Sequence, residues 1–335
     1  MEQERDDVHK ELQSVGLWSL PPEISISIFS RLPVKCLMKC RCVCKPWRSL
    51  ISTPHFINMH LACSSHAYNP DILFHDFSVI SKYRFKKNYH HVIENVGEGD
   101  EVVKVLSLPS HFSALDIVDS CNGLICFIEP YSRTVMYVCN PCTGESIQLP
   151  PPPSQIPSSL FGFGHDSVHD EYKVVTLFLE DPTSAHPKQV AAVCTLDSRT
   201  WRRIAEVPFM PIRERSFFYM DGAVHWMALD LVGKSSIGIG SLDMASEKFQ
   251  FVQLPPIFNV DNLEVGVLGG CIASMRLLCL LKNGEVLLLY DECSLVSFDP
   301  SSGAVRDHRL PGVSEISESF VHIGTLISPV RQNRC

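Results

Sequence analysis

The sequence predicts a mainly β protein that carries a small α-helical domain at its N-terminal end. Between residues 17 and 65 the chain has almost no glycine and no hairpin signal, whereas past about residue 69 it consists of short apolar runs broken by Gly, Pro, Asn and Asp. In this second part, one pattern of strands and turns recurs at a period of about 50 residues. We therefore expect a disordered N-terminal segment, a helical domain, a β domain and a C-terminal tail, at residues 1–16, 17–65, 66–330 and 331–335 respectively.

The composition is that of a soluble globular protein. The net charge of −8 and the pI near 5.9 argue against a nucleic-acid binder, which is normally basic. No apolar stretch reaches the roughly 18 residues that span a membrane, and the charged N-terminus is unlike a secretory signal. The 14 cysteines are scattered singly, so we expect free thiols and a reducing compartment, the nucleus or the cytoplasm.

The helical domain begins with a proline pair followed by an acid, at Pro21–Glu23, which suits the first turn of a helix. Ile24, Ile28 and Leu32 then fall four apart on one face, and Pro33 is the expected stop. Isoleucines also occupy every second position from Ile24 to Ile28, which fits a strand equally well. Local periodicity leaves these two alternatives open.

The rest of this domain predicts further short helices. Val34–Ile51 indicates two helices, with Pro46 near the start of the second, and one or two more helical turns are expected after Thr53-Pro54. Fewer than about 50 residues of short helices build only a weak core. We therefore expect this domain to lean on a partner.

The β domain contains four similar units. Each has an apolar strand, an Asp or Asn, a short polar turn, a second strand and a closing proline, with the Asp or Asn at Asn140, Asp197, Asp243 and Asp299. A two-residue hairpin signal precedes three of them, at Asn122-Gly123, Asp221-Gly222 and Asn283-Gly284, and Asp166–Glu171 takes this place in the other. Each unit thus predicts about four strands, which is typical of a β-propeller blade. Residues 71–108 and Phe320–Pro329 supply further strands that close the ring and remove free sheet edges.

Two sets of residues resemble a known family. The run from Leu20-Pro-Pro-Glu through Ile28-Phe-Ser-Arg-Leu-Pro-Val34 to Cys42-Val-Cys-Lys-Pro-Trp-Arg-Ser-Leu-Ile51 closely resembles the plant F-box motif. The remainder resembles the plant F-box-associated, kelch-like domain, in Ser120–Ile125, Asn140–Glu145, Gly162–Val175, Asp221–Trp226 and Thr325–Pro329. The resemblance covers nearly the whole chain and favours the helix over the strand for Ile24–Leu32.

The resemblance implies a three-helix F-box that docks on a Skp-family adaptor, which in turn binds a cullin and a RING subunit. The matching apolar positions either bind the adaptor or hold the helices together, and we assign them to adaptor binding. They are Leu20, Pro21, Ile28, Leu32, Pro33, Val34, Leu37 and Trp47. Because burying one Leu or Ile is worth roughly 1.5–3 kcal/mol, a handful of them suffices to anchor a tight interface.

The implied function is that of a substrate receptor in a Skp-cullin-F-box ubiquitin ligase, with an unidentified protein substrate held by the propeller. The alternative is a non-degradative or inactive F-box scaffold. The chain departs from the family pattern after Gly266–Gly270, because Cys271–Arg276 passes almost directly into Leu277–Gly284 where a Trp-containing hairpin is usual. Part or all of a blade is therefore expected to be absent, and the ring either closes with fewer strands or is compromised.

We predict no catalytic residue, no metal site and no cofactor. The cysteines of Cys36–Cys44 lack a second pair at zinc-finger distance, and Cys139-Asn-Pro-Cys142 is a turn that recurs elsewhere without cysteine. The His-Asp pairs within His165–Asp170 fit a hairpin turn better than acid–base catalysis, and His225-Trp226 fits blade packing. Lys82–His91 mixes basic and aromatic residues, which in an acidic protein favours a solvated face over RNA binding.

Overall fold

The computed structural model describes residues 21–67, 70–76, 89–94, 102–106, 108–109, 112, 115–153, 160–184, 188–212, 217–230, 236–253, 265–268, 271–290, 294–308 and 316–330. The predictions made for residues 1–16, for the tail 331–335, for Leu20 and for most of Lys82–His91 lie outside these ranges. Among the helices within them, none is both long and apolar enough to cross a membrane.

Four helices lie in the described part of the N-terminal domain. They are α1 (Pro22–Phe29), α2 (Val34–Cys40), α3 (Lys45–Ile51) and α4 (Pro54–Ala67). The structure confirms the helix at α1 over the alternative strand, with prolines in the first turns of α1 and α3. Two expectations were wrong. The first helix ends at Phe29, so Leu32 lies beyond it. Helix α4 runs for 14 residues, longer than the one or two turns expected, and the Thr53 hydroxyl caps its start by accepting a 3.2 Å hydrogen bond from the Phe56 amide.

Five antiparallel sheets follow, and we number them as blades in chain order. Blade 1 contains β1 (Asp71–Asp76), β2 (Tyr89–Glu94), β3 (Val102–Val105) and the C-terminal β22 (Ile316–His322). Blade 2 contains β4 (Asp116–Cys121), β5 (Leu124–Ile128), β6 (Met136–Cys139) and β7 (Ser146–Leu149). Blade 3 contains β8 (Leu160–Asp166), β9 (Glu171–Glu180), β10 (Lys188–Thr195) and β11 (Trp201–Glu206).

The last two blades have five strands each. Blade 4 contains β12 (Met210–Pro211), β13 (Phe218–Met220), β14 (Ala223–Asp230), β15 (Ser236–Asp243) and β16 (Phe249–Gln253). Blade 5 contains β17 (Val265–Leu268), β18 (Cys271–Leu280), β19 (Val286–Tyr290), β20 (Ser294–Phe298) and β21 (Val305–His308). Within the described residues the protein is thus a five-bladed propeller preceded by four helices, one more than the resemblance implied, and the predicted fold class is confirmed.

The chain closes the propeller with its last strand. β22 pairs with β1, with Asp71 opposite His322 and Leu73 opposite Phe320. The predicted closing segment therefore contributes a strand up to His322, whereas residues 323–330 leave the sheet. The closure therefore covers the edge of β1, and β22 becomes the edge strand of blade 1.

One turn recurs in four blades and explains the repeat in the sequence. In each, the amide of the fifth residue donates to the carbonyl of the first at 2.8–2.9 Å, and the fifth residue has positive φ. The turns run from Asn140 to Gly144, Thr195 to Arg199, Asp243 to Glu247 and Asp299 to Gly303. The second unit is thus aligned on Thr195 and not on Asp197 as predicted.

The hairpin signals mark hairpins, though not all of one kind. Asn122-Gly123 and Asp221-Gly222 each have two successive positive φ values, 49° and 80°, as a tight two-residue turn requires. At Asn283-Gly284 only the glycine has positive φ, 85°, and the connection is a five-residue loop from Leu281 to Glu285. Here the predicted two-residue turn was wrong, and the hairpin itself was right.

The core lies between the faces of neighbouring blades. Separate buried clusters join blade 1 to blade 2, blade 2 to blade 3, blade 3 to blade 4, and blade 5 to blade 1. Trp226 is fully buried in the cluster between blades 3 and 4, where Phe209 and Phe217 pack against it. This agrees with the packing role predicted for His225-Trp226, whose histidine ring stacks on Phe218.

Candidate functional site: the helical domain and its seat on the propeller

Helix α1 presents an apolar surface to solvent. Ile24 and Ile28 are 48% and 41% exposed, whereas Ser25 and Phe29 on the other side are buried. Residues four apart lie on one face of a helix, so the two isoleucines form a continuous patch. Helix α1 therefore exposes two apolar side chains on one face while it buries Ser25 and Phe29 on the other.

The interior of the helical domain is complete without these isoleucines. Phe29, Val34, Leu37, Ile51 and Phe56 are buried together. Trp47 packs edge-on against Phe29, with ring centroids 4.8 Å apart. The exposed isoleucines are therefore not needed to close this core.

The eight residues predicted to bind an adaptor occupy different environments. The structure exposes Pro21, Ile28 and Pro33, half-buries Leu32 and Trp47, and buries Val34 and Leu37, while Leu20 lies outside the described residues. For the two buried residues the structure favours the second of the two roles considered above, which is to hold the helices together. Adaptor binding by the set stays a prediction.

Two exposed apolar residues were missing from the predicted set. Ile24 shares its face with Ile28, and Val43, which follows α2, is 55% exposed. Ile24 could have been predicted from the sequence, because it lies four residues before Ile28 and therefore on the same helix face. The exposure of Val43 has no signal in the local sequence, because it depends on how α2 and α3 pack.

The helical domain sits on the propeller through an apolar contact. Leu326 and Cys142, both from the β domain, pack into the helical core. Ile57 and Leu61 of α4 pack in turn against the cluster of blades 2 and 3, which contains Ile327. The two domains thus share one continuous apolar interface, as expected of helices that cannot build a sufficient core alone.

The segment after β22 joins the two domains. The buried Asn140 side chain donates hydrogen bonds to the carbonyls of Thr325 and Ile327, at 2.9 and 2.7 Å, and the Thr325 hydroxyl donates to the Asn122 carbonyl at 2.8 Å. These bonds pin residues 323–330 to blade 2. We name residues 323–330 the strap, because its apolar side chains face the helices while its backbone is held by the propeller.

Charged groups also cross the domain boundary. Lys35 of α2 forms a 2.5 Å ion pair with Glu94 of β2, and Glu94 is paired with Lys104 as well. Burial, together with the negative charge of Glu94, raises the pKa of the nearby Asp71 to about 6. Because Lys35 is well exposed, this pair orients the helices rather than contributing much stability.

A buried lysine of blade 3 forms an ion pair within its own blade and also contacts blade 4. The Lys173 ammonium donates at 2.7 Å both to the Asp166 carboxylate and to the Met244 carbonyl, and it lies 3.6 Å from Glu247. Burial alone would raise the pKa of Asp166, but hydrogen bonds from Lys173 and His169 outweigh it and lower the pKa to about 2. The His-Asp residues of this hairpin therefore build a structural link, which agrees with the turn interpretation.

The environments of the remaining candidate residues, the cysteines and possible metal ligands, fit a structural role. Burial raises the pKa of the Cys139 thiol to about 12 and also raises that of Cys142, and thiols held in this form are poor nucleophiles. Between these cysteines in the sequence, the Asn140 side chain donates hydrogen bonds to two carbonyls of the strap. In the described part of the chain, no group of three His, Cys, Asp or Glu residues is placed to hold a metal ion.

Comparison with known families agrees with both domains. A family model described as F-box-like matches residues 17–61, and one described as F-box associated beta propeller domain matches residues 77–271. Three relatives from Arabidopsis thaliana are similar along most of their length: F-box protein At3g07870 (24% identical, covering 96% of this chain and 94% of that protein), F-box/kelch-repeat protein At3g23880 (28%, 81% and 75%) and putative F-box protein At3g52320 (29%, 93% and 78%). The alignment with the first is 404 residues long, so that relative has residues without a counterpart in this 335-residue chain.

The second match covers more than half of the chain, and the sheets it spans are the blades described above. This protein belongs to the family of F-box proteins with an F-box associated β-propeller domain.

Proposed function

We propose that this protein is the substrate receptor of a Skp-cullin-F-box ubiquitin ligase. The observation that carries the proposal is the Ile24–Ile28 face, which is apolar, exposed and unnecessary to the core of the helical domain. An F-box implies a Skp-type adaptor as the protein that covers this face, and the adaptor brings the cullin and the RING subunit. The propeller then holds the protein substrate, in the nucleus or the cytoplasm.

The receptor acts by position and not by chemistry. Neither matching family model describes an enzyme, and ubiquitin transfer is the task of the conjugating enzyme that the RING subunit recruits. Holding a substrate lysine near an activated thioester turns an encounter between two molecules into a step within one complex. The apolar interface between the helical domain and the propeller supports this role, because it fixes the direction in which the propeller presents its substrate.

Adaptor binding is tested by co-expression with a Skp-family adaptor. We expect the Ile24→Asp/Ile28→Asp double variant to lose co-purification with the adaptor, because two charges cannot be buried in an apolar interface without partners. The matched control is Val252→Asp/Val305→Asp, which places the same charges at exposed valines of blades 4 and 5. Retention of the adaptor by the isoleucine variant would refute the assignment.

One observation favours the alternative of a non-degradative scaffold. F-box protein At3g07870 has residues that have no counterpart in this chain. A complex reconstituted with cullin, RING subunit and conjugating enzyme separates the two functions. The proposal predicts ubiquitin transfer to proteins captured by the propeller. Capture without transfer, from a complex that is otherwise active, would favour the scaffold.

A further inference from the structure

A cavity lies where the helical domain meets the propeller. It has a volume of about 180 Å³ and is lined from one side by Ile57 and Asn58 of α4, and from the other by Tyr172 and Leu196 of blade 3. The strap completes it with Leu326 to Val330. Neither domain forms this cavity by itself, so it exists only when the helices are seated on the propeller.

The cavity is apolar at its base and acidic around it. Leu196 and Leu326 are buried, and Tyr172 is half-buried with its ring tilted against that of His165. Four carboxylates share the lining, those of Glu145, Asp170, Glu171 and Asp197, against the single cation Arg41. The lining therefore carries a clear excess of negative charge.

Two of these carboxylates are not paired with a basic side chain in the part of the chain that the structure describes. Glu145 and Glu171 are both half-buried, and within the described part of the chain neither has an ion pair with a lysine or arginine. Glu145 accepts a 3.4 Å hydrogen bond from the Thr143 hydroxyl. By contrast, Glu247, Glu206 and Glu180 elsewhere in blades 3 and 4 each pair with a basic side chain.

We propose that this cavity binds a basic side chain, that of an arginine or lysine, on a peptide segment of a partner protein. Such a side chain has an apolar stem and a cationic head. The stem matches the Leu196 and Leu326 base, and the head matches Glu145 and Glu171, where charge-assisted hydrogen bonds are strong. A neutral apolar side chain would leave both carboxylates unpaired, so charge selects the occupant.

This inference rests on the proposed function, because it names the class of segment that the receptor recognises. It also places recognition at the domain junction and not on the propeller alone. A peptide bound there contacts the F-box helix α4 as well as blade 3. Its position relative to the ligase would then be fixed by both domains at once.

The test uses the full chain co-purified with its adaptor and a fluorescein-labelled peptide, Gly-Ala-Arg-Ala-Gly, followed by fluorescence anisotropy. We expect binding that weakens severalfold between about 0.05 and 0.5 M salt, and about tenfold weaker binding when glutamine replaces the arginine of the peptide. Equal binding of both peptides, or none at millimolar concentration, would overturn the proposal.

Two variants test the cavity itself. Glu145→Gln/Glu171→Gln is expected to weaken the arginine peptide about tenfold, whereas the control Glu180→Gln/Glu206→Gln changes the net charge equally but lies at exposed pairs of blade 3 and should leave binding unchanged. Asn58→Trp keeps the charge and fills the cavity from an exposed helical position, so it should also abolish binding.

The remaining outcomes are decisive too. If Arg331→Ala/Arg334→Ala raises peptide affinity, the chain's own tail competes for the site, and the assignment of a basic side chain stands. If both cavity variants bind peptide like wild type, the assignment is wrong. Adaptor co-purification is scored on the same samples, so loss of peptide binding with adaptor retained separates failure of this inference from failure of the proposed function.

Discussion

The buried Asp166–Lys173 pair of blade 3 offers the sharpest test of the packing around Lys173, which also donates to the Met244 carbonyl of blade 4. Asp166 is fully buried and Lys173 is 4% exposed, and their charged atoms are 2.7 Å apart. Removing one partner of a buried ion pair costs about 3 to 5 kcal/mol, because the other charge is left without compensation. Asp166→Asn removes the charge while keeping an oxygen that accepts from the Val168 and His169 amides, so the turn itself is preserved.

We therefore expect Asp166→Asn to lower the free energy of unfolding by about 3 to 5 kcal/mol in urea titrations followed by circular dichroism. The matched control is Glu180→Gln. It breaks the Arg203–Glu180 pair of the same blade, whose side chains are 46% and 45% exposed, and should cost less than about 1 kcal/mol. Lys173→Met combined with Asp166→Asn should cost less than the sum of the single changes, because each single change leaves a buried charge.

The same pair predicts a pH dependence. The pKa of Asp166 is lowered from 3.8 to about 2 in the folded protein, so its contribution is complete above about pH 4 and is lost as the pH falls toward 2. A shift of this size corresponds to about 2.5 kcal/mol, which Asp166→Asn should remove from the acid limb. If Asp166→Asn costs no more than Glu180→Gln, the buried pair does not stabilise the propeller as argued and the reasoning is refuted.

Three further predictions concern the strap and the closing strand. Gly123 and Gly222 have the same φ of 80°, but a Cβ on Gly123 would lie 2.6 Å from the Ile323 carbonyl oxygen and nearer still to the Thr325 hydroxyl, whereas one on Gly222 meets nothing within 4 Å. Gly222→Ala should cost about 1–2 kcal/mol in the same titrations and Gly123→Ala distinctly more; equal costs would contradict the packing of the strap. Asn140→Ala should leave two strap carbonyls without donors, which costs about 1–3 kcal/mol for each buried group, and should raise hydrogen exchange in residues 323–330 but not in blade 5; unchanged exchange would contradict the pinning. Burial lowers the pKa of His322 from 6.5 to about 4, so the unfolded chain binds the proton first and stability falls between about pH 6.5 and 4. His322→Asn should flatten this limb, and an unchanged pH profile would contradict the burial.

Much of the fold follows from local residue patterns. Asn122-Gly123 and Asp221-Gly222 predict tight hairpins because few residues other than Gly, Asn and Asp adopt positive φ readily. The repeat of strand, turn and strand likewise sets the blade period. The sequence misjudged the second unit by two residues, because Thr195 takes the place that Asn or Asp occupies in the other turns and Asp197 lies two positions on.

The candidate site was only partly predictable. Ile28 and Pro33 are exposed as a binding surface requires, but Val34 and Leu37 belong to the core. The local sequence does not separate these two roles, because both are filled by apolar residues. No pattern in the sequence predicted the cavity at the domain junction. Its lining comes from the residues that follow α2 and α3, from α4, from blades 2 and 3 and from the strap, which are far apart along the chain.

The sequence by itself determined the division into a helical domain and a propeller, the positions of most hairpins, and the closing of the ring by the last strand, because backbone preferences and apolar periodicity act over a few residues. Only the tertiary structure decided which apolar side chains of the helical domain face outward and how that domain is seated. The physical reason is that burial depends on distant partners. Leu326 fills the helical core almost 300 residues after Phe29, and Asn140 fixes the strap that carries it.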